Sequence, residues 1–402
     1  MPKHDEQTYF VIPLSVQPEG DGYYIGNAEL NEFYEFPEDG LRIIQRLREG
    51  DSAEQIKAAL AAQSGQSDET LDVDDFIEQL VEIGFIHRQQ DQHRYDEQLA
   101  ESAAGDKRLS FKGNLALARA LFSPLSLAIY LGVIGYAALS AYQNPRLRLN
   151  LQAFYLEQHL TLTLVTLLVL YFLATMLHEL GHMMAAARYG VHSRLGIGNR
   201  LWDLVAEADL TGILSLPRSQ RYLPLMAGMM VDVLNIALLT LAIGWLIDHS
   251  GNAFLIQLLQ ALILQLLITI SWQFNIFLRT DMYYVVCNFF GNPDLDRQAR
   301  IYLRDRMHRI SFGRFGEAAE AIDQRNIGVL RAFSLLWVVG RISALIFLAF
   351  VLIPTLSRYV RKAYDSFASP QATQATAMDA AGFAAISVAL FAGGMYLWLR
   401  RR

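Results

Sequence analysis

The sequence predicts a mainly α-helical protein, a polytopic bundle of about six membrane-crossing helices preceded by a small α+β domain of winged-helix type. Three observations predict it. Hydrophobic residues fill 53% of the 402 positions and charged residues only 18%, a balance typical of membrane chains. From Leu121 onward the apolar runs reach membrane length, and "LTLTLVTLLVLYFLATML" has no polar face of the kind a soluble bundle helix keeps. Charge divides the same way. Residues 1–108 hold 24 Asp/Glu against 9 Lys/Arg, a net of −15, and residues 109–402 hold 16 against 25, a net of +9.

The first 95 residues justify the small domain. "YFVIPLSV", "GYYIGNA" and "NEFYEF" read as short strands with Pro and Gly punctuation between them. Leu41, Ile44 and Leu47 then fall at helical spacing, Ser52 opens a second helix, and Phe76, Leu80 and Ile83 share one face of a third that stops at Gly84. Residues 96–120, rich in Ala, Ser, Gly and charge, read as a linker, which sets the boundaries at 1–95, 96–120 and 121–402. The acidic front lacks the basic surface a nucleic acid requires. "MPKHDEQTYFVIPLS" lacks the apolar core of a signal peptide, so this domain is expected in the cytosol. The lone Cys287 excludes an intrachain disulfide and a cysteine-rich metal site, and is expected to serve packing.

Six spans follow, near 121–142, 160–184, 222–247, 253–277, 329–353 and 378–399. Each covers a core of roughly 30 Å. Lysine and arginine set the orientation. Lys107, Arg108, Lys112 and Arg119 precede the first span, Arg188, Arg194, Arg200, Arg218 and Arg221 follow the second, and Arg279, Arg297, Arg300, Arg304 and Arg306 follow the fourth. The chain ends in Arg400, Arg401 and Arg402, so both termini are expected in the cytosol.

At the end of the second span stands "HELGH", which fits H-E-x-x-H. Residues four apart lie about 40° apart on a helix, so His178 and His182 can offer imidazole nitrogens to one metal ion. Glu179 can act as general base toward the attacking water, and Gly181 leaves the approach open. Ionisable groups are costly in a membrane, which makes an accidental cluster rare. A catalytic zinc takes three protein ligands. Asp281, the acid at the end of the fourth span on the side where the motif helix also ends, can be the third. Asp203, Asp209, Asp294 and Asp296 are rivals in more polar loops, read as solvated carboxylates.

HELGH in one span with an Asp-containing motif two spans later resembles the site-2 protease family of intramembrane zinc metallopeptidases. More narrowly, Asn275, Leu278, Arg279, Asp281, Tyr283 and Tyr284 resemble the N-x-L-R-x-D-G-Y-Y motif of bacterial peptide zinc metalloproteases, with Met282 in place of the glycine and one more residue between Asn275 and Leu278. The resemblance implies a zinc ion held by His178, His182 and Asp281, peptide-bond hydrolysis with Glu179 as base, and a home in the bacterial cytoplasmic membrane. It also implies that "LMAGMMVDVLNIAL" packs beside the metal helix. There the small Ala227 and Gly228 permit close approach, and Asp232 and Asn235 line the substrate cleft. Asn275, inside the Asp281 motif, has the same expected role, and Gln260, Gln265 and Gln273 a weaker claim to it. "VAEADLTGILSLP" alternates enough for a hairpin, which in relatives pairs with an unwound substrate. Six other histidines (His4, His87, His93, His192, His249, His308) lack ligand spacing and read as loop or surface residues.

The front domain resembles the PqqD-like fold, a leader-peptide recognition element, through "LNEFYEFPEDGL" and "FIEQLVEIGFI". The resemblance implies strand addition by a peptide beside the third strand, near Phe33, Tyr34, Phe36 and Phe76. The expected partners are a precursor peptide and the lipid bilayer, with no nucleic acid; a homo-oligomer or biosynthetic enzymes remain open. The expected activity is leader removal or maturation of a ribosomally synthesised modified peptide. A regulatory protease releasing a membrane-tethered factor, and a non-proteolytic transporter or immunity protein, are the alternatives.

Overall fold

The computed structural model describes residues 9–20, 22–63, 72–105, 108–148, 153, 159–200, 203–292, 295–312, 314, 327–368 and 373–400. His4, Lys107, Asp294, Arg401 and Arg402 lie outside them. The protein is mainly helical, with six long apolar helices and a small N-terminal β/α region. The chain forms two compact units, one of residues 1–115, 186–196 and 208–224, the other of residues 116–185, 197–207 and 225–402.

The first unit begins with β1 (Tyr9–Val11), β2 (Ser15–Glu19), β3 (Gly22–Asn27) and β4 (Glu32–Phe36), followed by α1 (Glu38–Glu49), α2 (Ala53–Gln63), α3 (Val73–Glu82) and β5 (Ile86–Arg88). The expected first strand "YFVIPLSV" is in fact two strands in two sheets: β1 pairs antiparallel with β5, while β2 joins the sheet β2–β3–β4. Pro13 lies at the break, where its missing N–H cannot serve a ladder. Acidic Glu38 and Asp39 open α1, and basic Arg46 and Arg48 close it before Gly50, which turns left-handed at φ 93°. Asp72 caps α3 by accepting from the backbone N–H groups of Asp74 and Asp75. Ile12, Ile25, Ile43, Ile44, Leu47, Leu80, Phe85 and Ile86 form the core between helices and sheets.

The described part of residues 96–120 holds regular elements. It carries most of α4 (Arg94–Gly105), all of β6 (Leu109–Phe111) and most of α5 (Leu115–Leu121). Tyr95 at the start of α4 receives a hydrogen bond from Asn27, and Gln98 pairs with His87 at 3.2 Å. His87 is therefore buried, not a surface histidine.

The second unit contains α6 (Pro124–Gln143) and most of α7 (Leu160–Ala187), which is followed by the hairpin β7 (Ser193–Arg200) and β8 (Asp203–Asp209). This hairpin forms the sheet β6–β7–β8 and uses only the front of the expected "VAEADLTGILSLP" segment. Thr211–Ser215 instead wind into a 3-10 turn that buries Gly212 and Ile213. Next come α8 (Arg218–Asp248), α9 (Ala253–Gln273), α10 (Asp281–Phe290), α11 (Leu295–Ile310), α12 (Ile327–Phe347), α13 (Ile353–Ala368) and α14 (Gln374–Arg400).

Six helical stretches are long and apolar enough to cross a membrane: Pro124–Gln143, Leu160–Ala187, Arg218–Asp248, Ala253–Gln273, Ile327–Ala368 and Gln374–Leu397. The fifth runs past its expected end at 353 as one 42-residue rod. A π-helical turn at Leu348–Leu352 joins α12 to α13 immediately before Pro354, where the ring denies the helix an N–H and a longer-period turn absorbs the mismatch. Asp379 of α14 accepts from the backbone N–H groups of Leu160 and Thr161 at 2.7 and 3.0 Å, capping the first turn of α7.

Candidate metal centre

α7 brings both motif histidines to a buried position, His178 6% and His182 3% exposed. Their Nε2 atoms approach to 3.0 Å. Asp281 Oδ2 lies 3.0 Å from the first and 3.3 Å from the second. Tetrahedral bonds of about 2.0–2.1 Å put neighbouring ligand atoms roughly 3.3–3.4 Å apart, and the observed triangle is of that size or slightly tighter. The buried His178, His182 and Asp281 group could hold a metal ion, and its two nitrogens and one carboxylate oxygen suit a first-row divalent cation.

Gly228 of α8 faces this triangle. A Cβ built there would meet His182 Nε2 at 2.3 Å and His178 Nε2 at 2.5 Å. The space in front of the ligand nitrogens is thus kept clear by the absence of a side chain. Gly181 has a different task from the expected one. Its Cβ would meet Val231 Cγ2 at 2.8 Å and the Ala227 carbonyl at 3.1 Å, so α8 fills the place read as an open approach.

Asp232 lies one turn beyond Gly228 and is spent on the histidine. Its Oδ2 accepts from His178 Nδ1 at 2.7 Å, and both side chains are buried. With Nδ1 engaged by Asp232, Nε2 is the ring nitrogen turned to the triangle. Asp232 thus braces His178, because a carboxylate buried in an apolar helix takes the nearest donor.

Asp281 stands at the start of α10, and two contacts with the end of α9 hold it there. Thr280 Oγ1 donates to the Gln273 carbonyl at 2.5 Å, and the Asp281 N–H donates to Gln273 Oε1 at 3.2 Å. Gln273 is therefore committed to the α9–α10 turn. Arg279 in that turn adopts a left-handed φ of 53°. Asp296 Oδ2 accepts from its Nε and Nη2, each at 3.2 Å, and from Arg300 at 2.7 Å, while Oδ1 accepts from Trp337 Nε1 at 3.1 Å. Asp296, read as a solvated rival acid, is a buried anchor with four such bonds. Met282 packs with Val286 and Trp337 against the cluster of Ile276, Tyr283 and Cys287, so its side chain has an apolar seat.

Glu179 is half-buried and lies about 60° around α7 from His182. Asn235, seven residues after Gly228 and so on nearly the same face of α8, has a buried Nδ2 with no acceptor among the described residues. Asn275 is buried, and its Oδ1 accepts from Ser343 at 3.4 Å, a bond between the α9–α10 turn and α12. Gln260 reaches the Arg146 carbonyl at 3.5 Å.

In the first unit β4 is an edge strand, and Tyr34 on it is 40% exposed. Phe36 is instead a core residue, packed edge-on to Phe76 at 5.6 Å, and Phe33 covers Gly26 on the paired strand. Asp209 is another supposedly solvated acid with fixed partners: Asn31, Thr211 and Arg108. Glu19 on β2 forms a buried pair with Arg221 at 2.6 Å and a second contact with Arg218 at 3.2 Å.

Comparison with protein-family models, curated proteins and solved structures gives no match.

Proposed function

We propose that the protein is an intramembrane zinc endopeptidase that cleaves a peptide precursor, with the N-terminal domain in the bacterial cytosol capturing the substrate. The observation that carries this reading is the convergence of His178 Nε2, His182 Nε2 and Asp281 Oδ2 on one buried point, next to a glutamate in the H-E-x-x-H position. Zinc bound there would supply Lewis acidity toward a peptide carbonyl and toward water.

The chain's own residues do the rest. Asp232 holds the His178 ring in the ligating tautomer. Gly228 keeps the ligand nitrogens uncovered. Glu179 takes a proton from the attacking water and returns it to the leaving amine. The amide N–H of Asn235, which finds no acceptor among the described residues, supports a role in donating to a substrate carbonyl. The edge position of β4 among the described strands, with Tyr34 exposed, supports strand addition by a leader segment. Six long apolar helices support a membrane site, and the basic loops favour both termini on the cytosolic side.

The test is mass spectrometry of a short precursor peptide encoded beside the gene, incubated with the reconstituted wild type and with Glu179→Gln. Cleavage by the wild type alone is expected. Equal processing by Glu179→Gln sinks the peptidase reading.

A further inference from the structure

We propose that Arg341 binds the phosphodiester headgroup of an anionic phospholipid. The inference rests on the six helices crossing a bilayer, and not on peptidase activity. Arg341 lies within α12, and its side chain is exposed. The guanidinium carbon sits 4.2 Å from the centroid of Trp337 and 5.3 Å from that of Phe277. An arginine within an apolar span is costly unless something meets its charge. The two rings supply a shelf that fixes the guanidinium plane. Among the described residues no carboxylate pairs with it, so its N–H donors remain for an external anion.

Depth identifies the anion. Phe277 lies in the turn directly after α9, and Gly340 packs on its ring. Further along the same rod, Tyr359 stacks on Phe383 of α14 at 5.7 Å. Phe383 is one turn beyond Asp379, which marks the other end of the bundle by capping α7. From Gly340 to Tyr359 the helix rises about 28 Å, close to the roughly 30 Å of a hydrocarbon core. Arg341 therefore falls at the boundary where headgroup phosphates lie, with an indole beside it as in an interfacial aromatic belt. Leu345 and Leu348, at i+4 and i+7, are exposed below it and give an acyl chain a track. Planar donors on a stacked shelf match two phosphate oxygens, a fit that an ammonium cannot reproduce.

The site has a structural neighbour of consequence. Trp337 donates to Asp296, and Asp296 clamps Arg279, two residues before Asp281. The lipid would thus rest on the same indole that braces the turn holding the candidate ligand.

The experiment is native mass spectrometry of the full chain released from bilayers of equal phosphatidylglycerol and phosphatidylcholine. The wild type is expected to retain one tightly held phosphatidylglycerol. Retention should fall about tenfold in Arg341→Gln and stay reduced in Arg341→Lys, which keeps the charge and loses the planar fork. Arg331→Gln removes another exposed arginine of the same helix and should leave that lipid in place. Equal retention by wild type and Arg341→Gln overturns the proposal. So does equal loss in Arg331→Gln, which would indicate surface charge alone, or equal retention of phosphatidylcholine. Displacement by millimolar inorganic phosphate would assign the site to a free anion instead of a lipid. Circular dichroism of each variant separates lipid loss from unfolding.

Discussion

Gly228→Ala tests the geometry of the candidate metal centre with a single methyl group. The added Cβ would stand 2.3 Å from His182 Nε2 and 2.5 Å from His178 Nε2, where ordinary contact begins at 3.4 Å. Each nitrogen would have to retreat by about an ångström, while ligand distances tolerate roughly 0.2 Å. Two of the three candidate ligand atoms would be displaced at once. Loss of an outer-shell partner alone costs about 10–100-fold in metal affinity, so Gly228→Ala should lose more than about 100-fold. Overpacking at a helix contact costs about 1–3 kcal/mol, partly offset by the better helix propensity of alanine, about 1 kcal/mol. The variant should therefore fold. The assay is zinc content by mass spectrometry after dialysis, with chelator competition for affinity and circular dichroism for helicity. Gly181→Ala is the control, because its Cβ meets Val231 and the Ala227 backbone and no ligand atom; it should lower thermal stability and keep the metal. A folded Gly228→Ala protein that binds zinc within about threefold of wild type would refute the reasoning.

Other substitutions probe the supports. Asp232→Asn removes the charge behind His178 and should weaken zinc binding about 10–100-fold in a competition titration without loss of helicity. Glu19→Ala leaves Arg221 buried without its carboxylate, a change that costs about 3–5 kcal/mol. It should lower the unfolding temperature, and a Glu19→Leu/Arg221→Leu double variant should recover most of the loss. Asp379→Ala uncaps α7, costs about 1 kcal/mol and should speed hydrogen exchange at the Leu160 and Thr161 amides.

Much of this architecture was legible in the sequence because its signals are local. Apolar runs of membrane length locate the six long apolar helices, and i,i+4 spacing puts His178 and His182 on one face of α7. Asp281 was recognisable as the acid at the end of a span, and the structure brings it to both histidines. What stayed hidden depends on contacts far apart in the chain. Nothing near Asp296 in sequence distinguishes a solvated loop acid from the anchor of Arg279, Arg300 and Trp337, since Trp337 is 41 residues away. Glu19 and Arg221 are separated by 202 residues, and each alone reads as surface charge. Pro13 did offer a signal, because a proline between two short apolar runs forbids one continuous ladder.

The polar residues of the apolar helices divide by the partner each finds. Asp232 has His178, Gln273 has the Asp281 backbone, Asn275 has Ser343, and Asp379 has the first turn of α7. All four hold a ligand, a turn or a helix end in position, so their cost in an apolar setting is met inside the fold. Asn235 differs, because its buried Nδ2 finds no acceptor among the described residues. A buried donor left unpaired costs about 1–3 kcal/mol. A substrate carbonyl that meets it recovers that energy on binding, whereas a structural role would leave the cost unmet. Asn235→Ala should then raise KM more than it lowers thermal stability, and Asn235→Asp, which replaces the donor by an acceptor, should be worse still. A stability loss with unchanged KM would return Asn235 to the structural set.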